Sequence, residues 1–183
     1  MAIIIPSEAL RVARALLNLT RSELAEGAEL AEKTVQRAEA GEPTARASEK
    51  LQAFYEQRGV GFTGSVDLAT GKITGAGARW RAPTVLPPQG PESDDFRTES
   101  FGVHFRAARA WFDKSQRVVA EETNLSQKTI IALEQVSDHS NSEFRRLREY
   151  YESQGLEFLS WGDTSRNLYY GVGVRQRQPT DGS

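Results

Sequence analysis

The sequence contains no cysteine among its 183 residues, so disulfide bridges and thiolate metal ligands are excluded. Its two histidines, His104 and His139, lie too far apart in the sequence to suggest a metal site. No apolar run approaches the roughly 18 residues that a membrane-spanning helix needs, and the run 2–6 is too short for the hydrophobic core of a secretory signal. We therefore expect a cytoplasmic protein, and the sequence indicates no metal, no cofactor, no membrane partner and no small-molecule ligand.

The net charge of −2 also leaves the chain without the basic excess that is typical of nonspecific DNA binding. The charge is unevenly distributed, because residues 1–83 carry a net +1, residues 84–100 a net −3 and residues 101–183 none. The acidic excess thus lies between two nearly neutral halves. Since local charge decides nucleic-acid binding more than total charge does, this composition argues only mildly against it.

The two halves contain an internal repeat at a shift of 95 residues, which becomes 96 after a one-residue insertion. Leu-Arg-Val-Ala-Arg-Ala at 10–15 matches Phe-Arg-Ala-Ala-Arg-Ala at 105–110. Both copies close with Gly-x-Gly-x-Arg-x-Arg-x-Pro, at 75–83 and 171–179. Ordered matches across such a distance are poorly explained by chance similarity between two helical segments.

A proline-rich, acidic segment separates the copies. It covers residues 84–100, and its composition favours an extended, solvated linker. A flexible coil of this length would span roughly 20–25 Å, and the fully extended chain about 55–60 Å, so the copies can lie side by side or apart. The predicted units are 1–83 and 101–183.

Each copy has the pattern of four short helices followed by a β-hairpin. Apolar residues at helical spacing indicate the helices, and period-two alternation indicates the strands. In the first copy these elements are the helices 7–18, 21–28, 32–40 and 45–57 and the strands 60–66 and 73–81. In the second copy the strands are 156–161 and 168–177. We expect a mainly α fold whose hairpins join edge to edge, within one chain or between two, because a lone hairpin is marginal in water.

Capping signals support the helix starts of the first copy. Ser7 is a candidate N-cap of the first helix, and Thr20 with Glu23 has the capping-box pattern at the second. The second and third helices are separated by a tight turn, which is the geometry that places a helix in a DNA major groove.

The segment 115–134, Ser-Gln-Arg-Val-Val-Ala-Glu-Glu-Thr-Asn-Leu-Ser-Gln-Lys-Thr-Ile-Ile-Ala-Leu-Glu, resembles the Xre/Cro-type (lambda-repressor-like) helix-turn-helix family. The segment 20–39 resembles a more diverged member of that family. The resemblance implies two lambda-repressor-like units in tandem, and a transcriptional regulator that binds double-stranded DNA in a sequence-specific manner.

The two copies depart from the family pattern in different places. The turn between the second and third helices usually contains glycine, where this sequence has Asn124 in one copy and Glu29 in the other. The cap of the third helix is Ser126 in the second copy and Ala31 in the first. Either copy can therefore have kept its packing role while losing DNA binding.

The resemblance implies which side chains would read base edges. They occupy the first two positions after the cap of the third helix and one position a turn later. These residues are Glu32, Lys33, Arg37, Gln127, Lys128 and Ala132. Gln pairs with adenine, Lys and Arg reach guanine, and Glu accepts from cytosine, although the ordinary role of such residues is a solvated helix face.

Phosphate contacts are implied at the starts of the second helices and beside the base-reading positions. These residues are Arg21, Thr34, Gln116, Arg117 and Thr129. The repeated arginines of the first helices have two interpretations, namely phosphate contact or an ion pair with Glu39 or Glu134. They are Arg11, Arg14, Arg106 and Arg109.

No pattern of catalytic residues is present, and Gly-x-Gly at 75–77 and 171–173 is too weak to indicate a nucleotide site. We therefore expect no enzyme, but a nucleoid-associated regulator that binds DNA and can form a homodimer through its hairpins. Its two unlike copies would read an imperfect inverted or direct repeat. The alternative is a helix-turn-helix scaffold reused for protein interaction, as in an anti-activator or antitoxin. A positive stripe along Arg21, Lys33 and Arg37, or along Arg117 and Lys128, would favour DNA.

Overall fold

Four helices followed by a β-hairpin occur in both halves of the chain, and the short strand β3 precedes those of the C-terminal half. A computed structural model describes residues 4–85, 96–135 and 141–178. The N-terminal half contains α1 (Ser7–Leu16), α2 (Arg21–Gly27), α3 (Glu32–Glu39), α4 (Ala45–Gln57), β1 (Val60–Val66) and β2 (Ile73–Trp80). The C-terminal half contains β3 (Thr98–Glu99), α5 (Phe105–Trp111), α6 (Gln116–Thr123), α7 (Gln127–Gln135), α8 (Ser142–Ser153), β4 (Leu156–Asp163) and β5 (Leu168–Gln176).

Side-chain caps explain where several helices begin. Thr20 accepts a hydrogen bond from the backbone N–H of Glu23, and the Glu23 carboxylate accepts one from the Thr20 N–H, so the predicted capping box is confirmed. The prediction that Ser7 caps α1 is wrong. Pro6 occupies the N-cap position, and the Ser7 hydroxyl donates to the Glu8 carboxylate instead.

Backbone irregularities recur at the offset of the sequence repeat. Each hairpin has a bulge at the same place, between Thr63 and Ser65 in β1 and between Leu159 and Trp161 in β4. Positive φ angles occur in five pairs of residues separated by 95 or 96 positions: Asn18 and Asp113, Glu29 and Asn124, Gly59 and Gly155, Gly71 and Asn167, Gly75 and Gly171. The repeat seen in the sequence is thus also present in the local backbone conformation.

The two hairpins join edge to edge within the chain. Strands β2 and β5 pair antiparallel about Ala78 and Val174, with β1 outside β2 and β4 outside β5. The short strand β3 pairs with β5 at Tyr169 and Tyr170. The described residues therefore form one antiparallel sheet of five strands.

The hydrophobic core is continuous across both halves. Helices α1 and α5 pack against each other and against the sheet, and Tyr55, Trp80 and Tyr151 are fully buried. Helices make up 46% of the structure and strands 21%, so the expected mainly α class is too narrow and the fold is mixed α/β. The described residues of the two predicted units, 1–83 and 101–183, share one core and one sheet.

The predicted linker 84–100 is only partly within the described residues, since residues 86–95 lie outside them. Its last part is ordered against the sheet rather than solvated. The indole N–H of Trp80 donates to the Glu99 carboxylate at 2.9 Å, and the Arg97 guanidinium lies 4.0 Å from the centre of the Trp80 ring. Within the described ranges, none of the helices is long and apolar enough to cross a membrane.

Candidate nucleic-acid interface

Two pairs of short helices, α2 with α3 and α6 with α7, are each joined by a tight turn. In both turns one residue adopts the left-handed conformation, Glu29 with φ 52° and Asn124 with φ 52°. The next backbone N–H bonds back into the preceding helix, from Leu30 to the Ala25 carbonyl at 2.8 Å and from Leu125 to the Ala120 carbonyl at 3.0 Å. The turns therefore have the same geometry although their sequences differ.

The starts of α3 and α7 differ as the sequence predicts. The Ser126 hydroxyl accepts from the backbone N–H of Thr129 at 3.0 Å, which caps α7. Ala31 stands at the N-cap of α3, where no side chain accepts from the exposed backbone N–H groups. The N-terminal turn of α3 thus keeps more unpaired donors than that of α7, because a helix start always leaves such groups to be satisfied.

Every predicted base-reading residue lies on the exposed side of its helix. The exposed residues are Glu32, Lys33 and Arg37 on α3, and Gln127, Lys128 and Ala132 on α7. The opposite sides of the two helices are buried through Val35, Ala38, Ile130 and Leu133. The arrangement leaves the outer faces of α3 and α7 available for a large partner.

The cations on these faces differ in their neighbours. Arg37 lies 3.4 Å from the carboxylate of Glu42, but both side chains are more than half exposed, so this pair is weak and easily exchanged. Lys33 and Lys128 have no ion pair within the described part of the chain. Both lysines are consequently free to meet an anionic partner.

The predicted phosphate contacts are more strongly engaged inside the protein. Arg21 donates to the Glu39 carboxylate at 2.7 Å, and the Gln116 amide donates to the Glu134 carboxylate at 2.8 Å. Arg117 pairs with Glu121 on the exposed side of α6.

The two threonines lie beside the base-reading positions. Thr34 and Thr129 are half-buried, and the Thr129 hydroxyl is hydrogen-bonded to that of Ser126. Their contact with phosphate stays a prediction, as it does for Arg21, Gln116 and Arg117.

A glutamate with a buried side chain lies in the last turn of α3 and of α7 and accepts several hydrogen bonds. The side chain of Glu39 is 1% exposed and accepts from both Arg14 and Arg21. Glu134 is equally buried and accepts from Arg109, at 2.6 Å and 3.0 Å, and from Gln116. The hydrogen bond to Glu39 raises the pKa of Arg21 above its ordinary value.

The first-helix arginines fulfil two different roles. Arg14 and Arg109 form the ion pairs that we considered, whereas Arg11 and Arg106 reach across to the other half of the molecule. The sequence contains one signal for these bridges, which is the recurrence of Arg-x-x-Arg in both first helices, but it does not separate the two roles.

The surface charge is less positive than a DNA-binding stripe requires. The segment 21–39 carries three basic and five acidic side chains, and the segment 116–135 carries two and three. The expected stripes are interrupted, because Glu39 and Glu42 neutralise Arg21 and Arg37, and Glu121 neutralises Arg117.

The basic groups gather instead where the two halves meet. A polar groove there has the charged and amide lining residues Arg14, Asn18, Arg106, Arg109, Asp113 and Lys114. It continues into an open cavity of about 640 Å³ that reaches Gln116, Arg117 and Gln127. This groove is shared between the halves, and carboxylates pair with three of its four cations, Arg14, Arg109 and Lys114.

Comparison with known proteins identifies no relative. A scan against protein-family models, a search of curated proteins and a search of solved structures each gave no match. The resemblance to Xre/Cro-type regulators accordingly depends on the residues and geometry described above.

Proposed function

We propose that this protein is a sequence-specific DNA-binding regulator in which each half is a lambda-repressor-like unit and α3 and α7 enter the major groove. The observation that carries the proposal is that two short helices, each following a tight turn with a left-handed residue, expose polar side chains suited to base edges. Lys33 and Arg37 can donate to guanine, and Gln127 can pair with adenine.

The starts of α2 and α6 would face the DNA backbone. Arg21 and Gln116 are bound to buried carboxylates, which fixes their positions rather than removing their donors, because each has further N–H groups. The seam groove with Arg106, Arg109 and Lys114 would add phosphate contacts between the two units.

The experiment is a binding selection from random duplex DNA, followed by titration of the enriched duplex at several salt concentrations. We expect an enriched sequence whose affinity falls about a hundredfold between about 50 and about 200 mM salt, since a few phosphate contacts release their counterions. Lys128→Ala should weaken binding, and Lys72→Ala, which removes the same charge from the β1–β2 turn, should not.

The second candidate is a protein-interaction module, which the acidic balance of both helix pairs favours. It predicts that no duplex is enriched, and that any residual DNA affinity is the same for all sequences. Under that outcome the exposed faces of α3 and α7 would be assigned to a protein partner instead.

The inner strands of the two hairpins pair with each other inside the chain. Among the described residues, β1 and β4 form the outer strands, and they are where a second copy could add to the sheet. Because β2 and β5 already pair within the chain, light scattering of the free protein decides between a monomer and the homodimer considered from the sequence.

A further inference from the structure

The central sheet pairing is reciprocal. Gly77 lies opposite Arg175, and Arg79 lies opposite Gly173, with Ala78 and Val174 between them. In the sequence repeat, Gly77 corresponds to Gly173 and Arg79 to Arg175. Gly77 therefore faces the counterpart of Arg79, and Arg79 faces the counterpart of Gly77. A local two-fold axis through the pair of Ala78 and Val174 produces this exchange, whereas a translation along the chain does not.

The same reciprocity occurs at the ends of these strands. A Cβ atom added at Gly75 would lie 2.7 Å from Nε2 of Gln178, and one added at Gly171 would lie 2.8 Å from Cβ of Ala82. Gly75 corresponds to Gly171 and Ala82 to Gln178 at the shift of 96 residues. Gly75 thus lies next to the counterpart of Ala82, and Gly171 lies next to Ala82 itself, as the same two-fold axis requires.

The helix seam is also crossed by contacts in both directions. Arg11 of α1 donates to the carbonyls of Ala110 and Trp111 at the end of α5, at 2.9 Å and 2.7 Å. Its counterpart in the repeat, Arg106 of α5, donates to the Asn18 side chain just beyond the end of α1. The two arginines therefore cross the seam in opposite directions, although their acceptors, two backbone carbonyls for Arg11 and a side chain for Arg106, are not equivalent positions of the repeat.

This axis is held rigidly. Arg11 is 9% exposed, and its guanidinium also donates to the Glu39 carbonyl at 2.6 Å, so one side chain joins the end of α3 to the end of α5. A Cβ atom at Gly77 or Gly173 would collide with the backbone of the facing strand. The position of α3 relative to α7 is therefore set by close packing and not by the linker.

We infer that one chain binds one operator, and that this operator is an inverted repeat of two unlike half-sites at a single spacing. The inference rests on the proposed function. A two-fold axis between the helix pairs matches the local two-fold axes of duplex DNA, so the half-sites run in opposite directions. Lys33 with Arg37 would read one half-site and Gln127 with Lys128 the other, so the chain binds in one orientation.

The experiment uses the duplex enriched by selection and a set of rearranged duplexes. In one, a half-site is reversed to make a direct repeat, and in the others the spacer is lengthened or shortened by a few base pairs. Since each base pair turns the duplex by about 34–36°, a rigid protein cannot follow these changes. We expect the direct repeat and the altered spacers to bind at least about tenfold more weakly than the selected duplex, and multi-angle light scattering to find one chain per duplex.

Two kinds of failure can be distinguished. If no duplex is enriched, the proposed function fails and the inference falls with it. If a duplex is enriched but a direct repeat, a single half-site or any spacer binds equally well, DNA binding stands and the inference is overturned. Two chains on one operator would overturn it as well.

Discussion

The two halves of the molecule each contain a buried glutamate, but different residues donate hydrogen bonds to it. Each buries a glutamate in the last turn of α3 or α7, but the Glu39 carboxylate accepts from two guanidinium groups and that of Glu134 from one guanidinium and the amide of Gln116. A neutral donor can thus replace a cation when its role is to fill the lone pairs of a buried carboxylate. The halves also differ at the turn and cap of that helix, where Asn124 and Ser126 suit the geometry better than Glu29 and Ala31 do.

The largest effect should come from the buried glutamates. Glu39→Gln leaves Arg14 and Arg21 without a counter-charge and should lower the free energy of unfolding by about 3 kcal/mol, the low end for a broken buried pair because both guanidiniums reach solvent. Glu134→Gln leaves one guanidinium, that of Arg109, without a counter-charge and should lower the free energy of unfolding by about 2 kcal/mol. Urea denaturation measures both.

Arg21→Gln is the matched control, since it gives Glu39 the neighbours that Glu134 has. In that background Glu39→Gln should cost no more than Glu134→Gln does. If Glu39→Gln and Glu134→Gln lowered the free energy of unfolding of the original chain equally, the predicted difference between the two buried glutamates would be contradicted.

The second effect is a dependence of stability on pH that belongs to the C-terminal half. The His104 ring accepts from the backbone N–H of Ala107 and caps α5, and burial together with the nearby Arg106 lowers the pKa of His104 to about 4. The folded protein therefore binds this proton less readily than the unfolded chain, whose histidine has a pKa near 6.5. Stability should be complete above about pH 6.5 and fall as the pH falls towards 4, by up to about 3 kcal/mol.

His104→Asn keeps a capping acceptor without a titrating group. As the pH falls from 6.5 to 4, the original chain should lose more free energy of unfolding than the variant does, because only the original chain has to keep His104 neutral. Thermal denaturation across that range isolates His104 from the carboxylates, which titrate in both proteins. A difference that does not vary with pH would show that the imidazole is not held neutral.

The smallest of these effects concerns the two turns. Glu29 holds a left-handed conformation that costs a side chain such as glutamate on the order of 1 kcal/mol, and Asn124 tolerates it better. Glu29→Gly should therefore stabilise the protein by about 1 kcal/mol, whereas Asn124→Gly should change little. An equal gain at both turns would mean that the asparagine is no better suited than the glutamate.

Local signals in the sequence account for most of the elements. Helix α4 occupies 45–57 and strand β1 occupies 60–66, as predicted, because capping, apolar spacing and strand alternation act over a few residues. Strand β3 was not predicted, since two residues are too few to show alternation. The turn residue Asn124 and the cap Ser126 were both recognisable from the sequence.

The contacts between the halves could not be predicted. Edge-to-edge pairing of β2 with β5 satisfies the same hydrogen bonds whether it occurs within a chain or between two, so the sequence leaves the choice open. Arg11 and Arg14 are three positions apart on one helix, and nothing local tells which pairs with the Glu39 carboxylate and which crosses to Ala110. Similarly, the internal engagement of Arg21 emerges only when the burial of Glu39 is known.

The most direct test of the central claim compares Arg37→Ala with Lys128→Ala on one selected operator, each titrated against duplexes with single base changes. Glu42→Ala is the control, because it leaves Arg37 in place and removes only its exposed ion-pair partner. We predict that each of the two variants loses about 5- to 150-fold in affinity, corresponding to about 1–3 kcal/mol, and loses discrimination in a different half-site. If only Lys128→Ala weakens binding, the N-terminal half serves packing alone, and if neither does, the assignment to DNA binding is contradicted.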